Sequence, residues 1–264
     1  QQLDSFDGKV SHVIHMGACS ATTERDFDFL YENNLGFTKA VWNFCVKNQI
    51  SMINASSAAT YGAGNHGFDD KTDIGVLEPL NGYGYSKQLF DLWERQQTLR
   101  PAQYCGFKFF NVYGPNEYYK GSMASVIFHT FNKIKETGEM GLFKSYRPDY
   151  ADGQQLRDFV YVKDICKVVK FMIEHPDVNG LFNLGTGTAR SFYDLAKATF
   201  DALGLEPNIK FVEMPETLRK KYQYYTQANM EKLRAAGYHE AFYTLEEGCK
   251  DYVTNYLAQD YKTY

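Results

Sequence analysis

A tyrosine and a lysine four residues apart carry the chemistry most readable in this chain. "NGYGYSK", Asn81 to Lys87, places Tyr83 and Lys87 on one face at the start of a helix. A free tyrosine titrates near ~10 and is a weak base at neutral pH. An ammonium group beside it favours the phenolate, so the pair fits a general base that takes a proton from an alcohol. Ser57, at the end of the preceding strand-like run "ISMINASS", is placed to give the same oxygen a second hydrogen bond. Taken alone, Tyr-x-x-x-Lys is a short motif that also fits a half-buried ring and a solvated lysine.

Other constellations compete with it. "YGAGNHG" holds a literal G-x-G-x-x-G at Gly62, Gly64 and Gly67. A dinucleotide fingerprint must close a strand and open a helix, whose N-terminus then meets the diphosphate. The next residues, "FDDKTDIGVLEPLNG", carry no helical apolar period, so the match reads as a decoy. His12-x-x-His15 with Cys19 invites a zinc reading, but on a strand that spacing sends the two imidazoles to opposite faces. Cys19 as a nucleophile lacks a neighbouring histidine partner. No metal site is expected.

Alternating elements position these residues. Strands are predicted at "VSHVIHMG", "ISMINASS", "QYCGFKFFNVYG", "RDFVYV", "GLFNLG" and "IKFVEM". Between them lie helical stripes: Phe27, Leu30, Tyr31, Leu35, Val41, Phe44; then Tyr85, Leu89, Phe90, Trp93; then Met123, Val126, Ile127, Phe131, Ile134. Helices "KDICKVVKFMIEH" and "SFYDLAKATFDALG" come after these, and two more end the chain. Such alternation implies βαβ units and a parallel sheet, with ligands beyond the carboxyl ends of the strands.

Composition narrows the class. The 264 residues are 44% hydrophobic and 23% charged, ordinary for a globular protein. A net charge of −4 offers no basic stripe for nucleic acid; "LRKKYQ" (Leu218 to Gln223) reads as a solvated face. Cys19, Cys45, Cys105, Cys166 and Cys249 are scattered and odd in number, the usage of a reducing compartment. No apolar run approaches ~18 residues and no signal-peptide pattern opens the chain. The expectation is a cytoplasmic protein without membrane or nucleic-acid partners.

The motifs "SSAATYG" (Ser56 to Gly62), "NGYGYSK", "FFNVYGP" (Phe109 to Pro115) and "RDFVYVKD" (Arg157 to Asp164) come in the order and spacing of extended short-chain dehydrogenases/reductases. The chain resembles that family from the family's second or third strand to its C-terminus. "GACSATTE", "ENN", "YKGSMASVIFH", "FNLGTGTARSF" and "KYQYYTQANMEKLRAAGY" resemble its branch of sugar-nucleotide epimerases that act on ADP-heptose. Rival dehydratases place an acidic residue after the catalytic serine or threonine; here it is Ala58.

The resemblance implies a Rossmann-type doubly wound parallel sheet, N-terminally incomplete, with a smaller α/β substrate domain. Residues 1–118, with 157–187 returning, would bind nucleotide; 119–156 and 188–264 would mainly bind substrate. It implies an epimerase that oxidises the C6 hydroxyl of the heptose, lets the ketone turn and reduces its other face. Ser57, Tyr83 and Lys87 would be catalytic, with Lys120 of "YYKGS" as second acid/base. Gly17, Ala18, Cys19, Ser20, Asn33, Lys87 and Val112 would hold the cofactor, which the family usually has as NADP, with NAD possible. Met16 stands where the family often has glutamate. Ser57, Asn111, Ser122, His129, Phe143, Lys144, Ser145, Tyr146, Arg157 and Tyr222 would bind substrate. Arg157 suits a diphosphate through two parallel hydrogen bonds, or else pairs with Asp158 or Asp164. A homo-oligomer, commonly a pentamer, is implied as well.

The family opens with a strand, a glycine turn and a helix that this sequence does not contain. By that comparison roughly sixty residues are expected upstream, enough for two β-α units of ~30 residues each. Two other readings stay open: another sugar-nucleotide epimerase or decarboxylase on the same scaffold, and a truncated, non-catalytic sugar-nucleotide-binding protein.

Overall fold

A computed structural model describes residues 3–219 and 222–263; Lys220 and Lys221 of the basic cluster lie outside the described residues. Strand β1 (His12–His15) leads to α1 (Phe27–Leu30), a π-helical run Tyr31–Gly36, α2 (Phe37–Asn48) and β2 (Ser51–Ser57). Then come α3 (Gly82–Arg95), β3 (Tyr104–Phe109), β4 (Asn111–Tyr113), α4 (Val126–Thr137) and β5 (Met140–Phe143). Next are β6 (Leu156–Arg157), β7 (Phe159–Tyr161), α5 (Val162–Glu174), β8 (Gly180–Leu184) and β9 (Arg190–Ser191). The chain continues through α6 (Phe192–Leu203), β10 (Ile209–Val212), α7 (Glu216–Arg219), α8 (Glu231–Ala235) and α9 (Leu245–Tyr252).

The chain divides into two compact units. The first comprises Gln1–Phe110, Cys166–Leu184 and Asn229–His239. Its sheet runs β1-β2-β3-β8 and is parallel throughout, with Met52 opposite Tyr104 and Cys105 opposite Gly180. β2 is buried along nearly its whole length, as a strand covered on both faces must be. Trp42 on α2 meets Tyr104 edge-on at 5.0 Å and Phe90 on α3 at 6.2 Å, inside a core shared with Leu35, Val41, Phe44 and Met52. This is the α/β fold expected from the alternation.

The second unit comprises Asn111–Ile165, Gly185–Ala228 and Glu240–Tyr264. It carries three two-stranded sheets, parallel β5–β10 and β4–β7 and antiparallel β6–β9. Ile127, Phe131, Tyr161, Leu195, Tyr252 and Leu257 are the centre of its core. Segments 111–118, 157–165 and 185–187 fold with this unit and 229–239 with the first, so compactness cuts the chain elsewhere than the functional division expected from sequence.

Two local expectations change. The predicted strand "QYCGFKFFNVYG" breaks at Phe110: the Phe110 N–H donates to Leu184 O, whereas the Asn111 N–H donates to Asp158 O in the second unit. Only part of the apolar stripe of α3 faces the core: Phe90 is buried there and Trp93 packs against the same cluster. Tyr85 is 46% and Leu89 36% exposed, while Ser86, Lys87, Gln88, Asp91 and Glu94 are buried. Phe27 and Tyr31 of the first helical stripe are exposed too.

Candidate active site

Tyr83 enters on the first turn of α3, whose N-terminus is capped by Asn81: its side-chain oxygen accepts the Gly84 N–H at 2.8 Å. Gly84 is required by packing. A Cβ there would lie 2.8 Å from Ala59 O and 2.9 Å from Pro79 Cβ, so glycine lets this turn approach the end of β2. Ser57, the last residue of β2, accepts the Ala59 N–H at 3.1 Å, which leaves its own O–H to donate to Tyr83. That hydrogen bond pulls the Tyr83 phenol down, but burial outweighs it and holds the phenol above its ordinary value.

Lys87, one turn further on, is buried and donates to Ala55 O at 2.9 Å. Burial lowers its ammonium to about 8, opposed by the charge of Asp91 and by Cys19. The Lys87 ammonium is turned to a β2 carbonyl, and burial opposed by the Ser57 hydrogen bond sets the resting phenol. The structure still brings Ser57, Tyr83 and Lys87 together at the carboxyl end of β2.

Behind them lies a polar layer that sequence reasoning missed. Asp91 Oδ2 accepts from Ser56 Oγ at 2.7 Å and pairs with Lys108 Nζ at 2.8 Å, with both charged side chains buried. Lys108 also donates to Thr60 at 2.6 Å, and Thr60 to Ser57 O at 2.9 Å. The available signal was charge on a strand and on a helix face that had to be covered.

Gly17 to Ser20, the residues expected to hold a cofactor, lie in the loop between β1 and α1. Asn34 fixes it: Oδ1 accepts the Cys19 N–H at 2.8 Å, and Nδ2 donates to Cys19 O at 3.0 Å and Ser86 Oγ at 2.9 Å. Asn33 is exposed and donates to Phe29 O at 2.8 Å in its own helix. Asn34 was missed, although it falls between Leu30 and Thr38 on the buried stripe. His15 bonds Thr38 Oγ1 at 3.0 Å, whereas His12 bonds Ser11. Among the described residues no three His, Cys, Asp or Glu could hold a metal ion together.

The glycine trio does not present its amides to a ligand. Gly62, Gly64 and Gly67 donate to Ala59 O, Tyr61 O and Gly64 O in successive turns. Gly62 has φ +58°, and a Cβ there would meet Glu78 O at 1.8 Å, so its role is close backbone packing.

In the second unit, Lys120 and Ser122 lie on a tight loop, Lys120 exposed and Gly121 at φ +55°. Buried Glu117 anchors the loop: its carboxylate accepts Ser125 N–H at 2.7 Å, Ser125 Oγ at 2.6 Å and Tyr252 OH at 2.9 Å. Asn111 and Val112 lie on β4, and His129 is exposed on α4. Arg157 is 9% exposed, with its guanidinium 5.5 Å from the rings of both Tyr222 and Phe192. It donates to Leu156 O at 2.8 Å and to Gln223 O. The alternative pairing fails: Asp158 accepts from Thr186, Gly187 and Ala228, and Asp164 from the Tyr243 N–H. Among the described residues no carboxylate neutralises Arg157, which leaves a buried cation suited to an anion.

Phe143 meets Tyr222 edge-on at 6.3 Å. Lys144 pairs with Glu213 at 2.8 Å, Ser145 N–H with Asp152 at 2.7 Å, and Tyr146 OH with Glu213. Arg219 lies 3.8 Å over the Tyr146 ring. Glu213 and Arg219 were also missed. The Tyr83 phenol, Lys87 ammonium and Ser57 hydroxyl of the first unit gather at the end of β2, and Asn34 ties the 17–20 loop to α3 through Ser86.

Residues 2–185 match the family described as Epimerase, NAD dependent epimerase/dehydratase family. The chain is 53% identical over 260 residues to an ADP-L-glycero-D-manno-heptose-6-epimerase of Fusobacterium nucleatum, covering 95% of this chain and 78% of the relative. It is 54% identical over 250 residues to the enzyme of that name from Nitratidesulfovibrio vulgaris, covering 94% and 77%. A crystal structure of the Helicobacter pylori ADP-L-glycero-D-manno-heptose-6-epimerase superposes with a TM-score of 0.78 at 26% identity, covering 96% of this chain and 75% of that one. A Methanobrevibacter ruminantium UDP-N-acetylglucosamine 4-epimerase superposes with a TM-score of 0.82 at 22% identity, covering 98% and 80%, and shares the fold.

Proposed function

The chain belongs to the NAD dependent epimerase/dehydratase family, and on that premise we propose that it inverts C6 of ADP-D-glycero-D-manno-heptose to give ADP-L-glycero-D-manno-heptose. The observation that carries this reading is the 53% identity to an enzyme of that name across 95% of the chain. The product is the activated heptose of the lipopolysaccharide inner core.

A bound nicotinamide cofactor supplies reversible acceptance of a hydride. Tyr83 takes the proton of the C6 hydroxyl as the carbonyl forms, and the Ser57 O–H steadies the same oxygen. Lys87, charged and buried, favours the phenolate while the proton is in transit. Lys120, which forms no ion pair among the described residues, is the second acid/base and returns a proton when the opposite face is reduced. Arg157 holds the substrate diphosphate, with Tyr222 and Phe192 packed against the guanidinium and Phe143 edge-on to Tyr222. We take the cofactor to be NADP, in line with the family's habit, and the enzyme to work in the cytoplasm. Exposed Phe27, Tyr31, Tyr85 and Leu89 support assembly as a homo-oligomer, a pentamer by family resemblance. Among the described residues no helix is long and apolar enough to cross a membrane.

The test is turnover on a substrate panel with NADP or NAD added. Inversion of the ADP-heptose, with UDP-sugars untouched, supports the reading. Turnover of a UDP-sugar instead would move the enzyme to another branch, and sugar-nucleotide binding without turnover would make it a binding protein.

A further inference from the structure

Asp91 is fully buried four residues beyond Lys87, on the same face of α3. One of its oxygens takes both the Ser56 hydroxyl and the Lys108 ammonium, while Oδ1 finds no hydrogen-bond donor among the described residues. Lys87 and Asp91 line one small cleft with Asn34, Thr38, Asn54 and Ser56. A buried carboxylate left half-satisfied beside a buried ammonium is costly unless the two charges serve each other.

We propose that Asp91 is a positioning residue, whose charge, fixed in place by Lys108 and Ser56, keeps Lys87 protonated and seated at the carboxyl end of β2. The proposal rests on the reading of Lys87 as the cation that serves Tyr83. The same contacts couple Lys87 to the strand carrying Ser57, because Ser56 precedes it and Lys108 reaches Thr60, which bonds Ser57 O. The titratable groups facing Lys87 are Asp91 on its own helix, Cys19 on the β1–α1 loop and His15 on β1. Those facing Asp91 are Lys108 on β3, Tyr61 beyond β2, Tyr104 on β3, and Tyr83 and Glu94 on α3. Among the described residues Asp91 is the only carboxylate facing Lys87, so its removal isolates the effect.

The experiment follows the Cε chemical shift of Lys87 through a pH titration of 13C-lysine-labelled full chain, assigned with Lys87→Arg, beside the pH–rate profile of epimerisation. The wild-type midpoint is expected at about 8. Asp91→Asn should move it down by roughly one pH unit, whereas Ser56→Ala, which keeps the charge, should leave it within a few tenths. If Asp91→Asn does not fold, Lys108→Met answers the same question, since removing the rival cation should move the midpoint up. An unmoved midpoint in Asp91→Asn, or an unmoved or lowered one in Lys108→Met, would overturn the proposal. A midpoint that moves while the pH–rate profile stays fixed supports Asp91's hold on Lys87 and instead overturns the role of Lys87 in turnover.

Discussion

Asn34 holds Cys19 by both of its backbone polar groups, at 2.8 Å for the N–H and 3.0 Å for the carbonyl. One buried amide thereby fixes the β1–α1 loop and, through Ser86, ties it to the helix that carries Tyr83 and Lys87. Asn34→Ala should lower the unfolding free energy by about 1–3 kcal/mol, because partly buried backbone groups lose their partners. It should also weaken cofactor binding. Denaturant unfolding and cofactor titration of the variant measure both effects, and loss of neither would mean that the loop is held elsewhere.

Tyr83→Phe keeps the ring and removes the proton carrier. Its kcat should fall by roughly 10²- to 10⁴-fold with little change in stability. Ser57→Ala is the subtler test. The phenol already stands above its ordinary value through burial, and the Ser57 hydrogen bond is what pulls it down. Removing that bond raises it further, so the acid limb of the pH–rate profile should move to higher pH. An acid limb that stays in place would detach Ser57 from the base.

Lys120→Met should slow epimerisation strongly while cofactor binding remains as in the parent. The side chain is exposed and the loop is held at Glu117 and Ser125, so the fold has no stake in the ammonium. Unchanged turnover would exclude the residue from proton transfer.

Arg157→Met separates binding from stability. The guanidinium is buried against Tyr222 and Phe192 with carbonyls for partners, so a methionine of similar length should cost the fold little. Loss of charge-assisted contacts to a diphosphate should raise KM by roughly 10- to 100-fold. Comparable KM values, with the variant folded, would place the diphosphate elsewhere.

His15 links stability to pH. Burial, with the Lys87 charge second, lowers its imidazole from 6.5 to about 4 in the folded protein. The unfolded chain then binds more protons between those values, so the contribution is complete above about 6.5 and is lost as pH falls towards 4. Its size is on the order of 3 kcal/mol. Unfolding free energies at about pH 7 and about pH 4.5 should differ less in His15→Gln than in the parent; equal differences would assign the slope to other groups.

Strands β1, β2, β3 and β8 and the helices between them were legible because buried parallel strands leave apolar runs and helices leave periodic ones. The α3 face was not. Tyr85 and Leu89 read as core but are exposed, while Lys87, Asp91 and Glu94 are buried with polar partners in other elements. Periodicity finds a helix without saying which face it turns inward when polar pairs can replace apolar contacts. The trio of Ser57, Tyr83 and Lys87 was legible from spacing and resemblance together. Asn34 was not, since choosing it over Asn33 depends on helix phase within a π-helical run. β5 and the break at Phe110 were hidden because a hydrogen-bond partner in a distant segment, not a local residue, decides them.

Inversion by removal and return of one hydride at C6 makes a prediction that an isotope label reads without ambiguity. Substrate carrying deuterium at C6 is incubated with the protein and NADP, and that position is followed in the epimerised product by NMR. Hydride transfer requires inverted product that keeps its deuterium and takes no hydrogen from water. Inverted product whose label has exchanged with solvent would contradict it, and replace hydride transfer with proton abstraction from carbon.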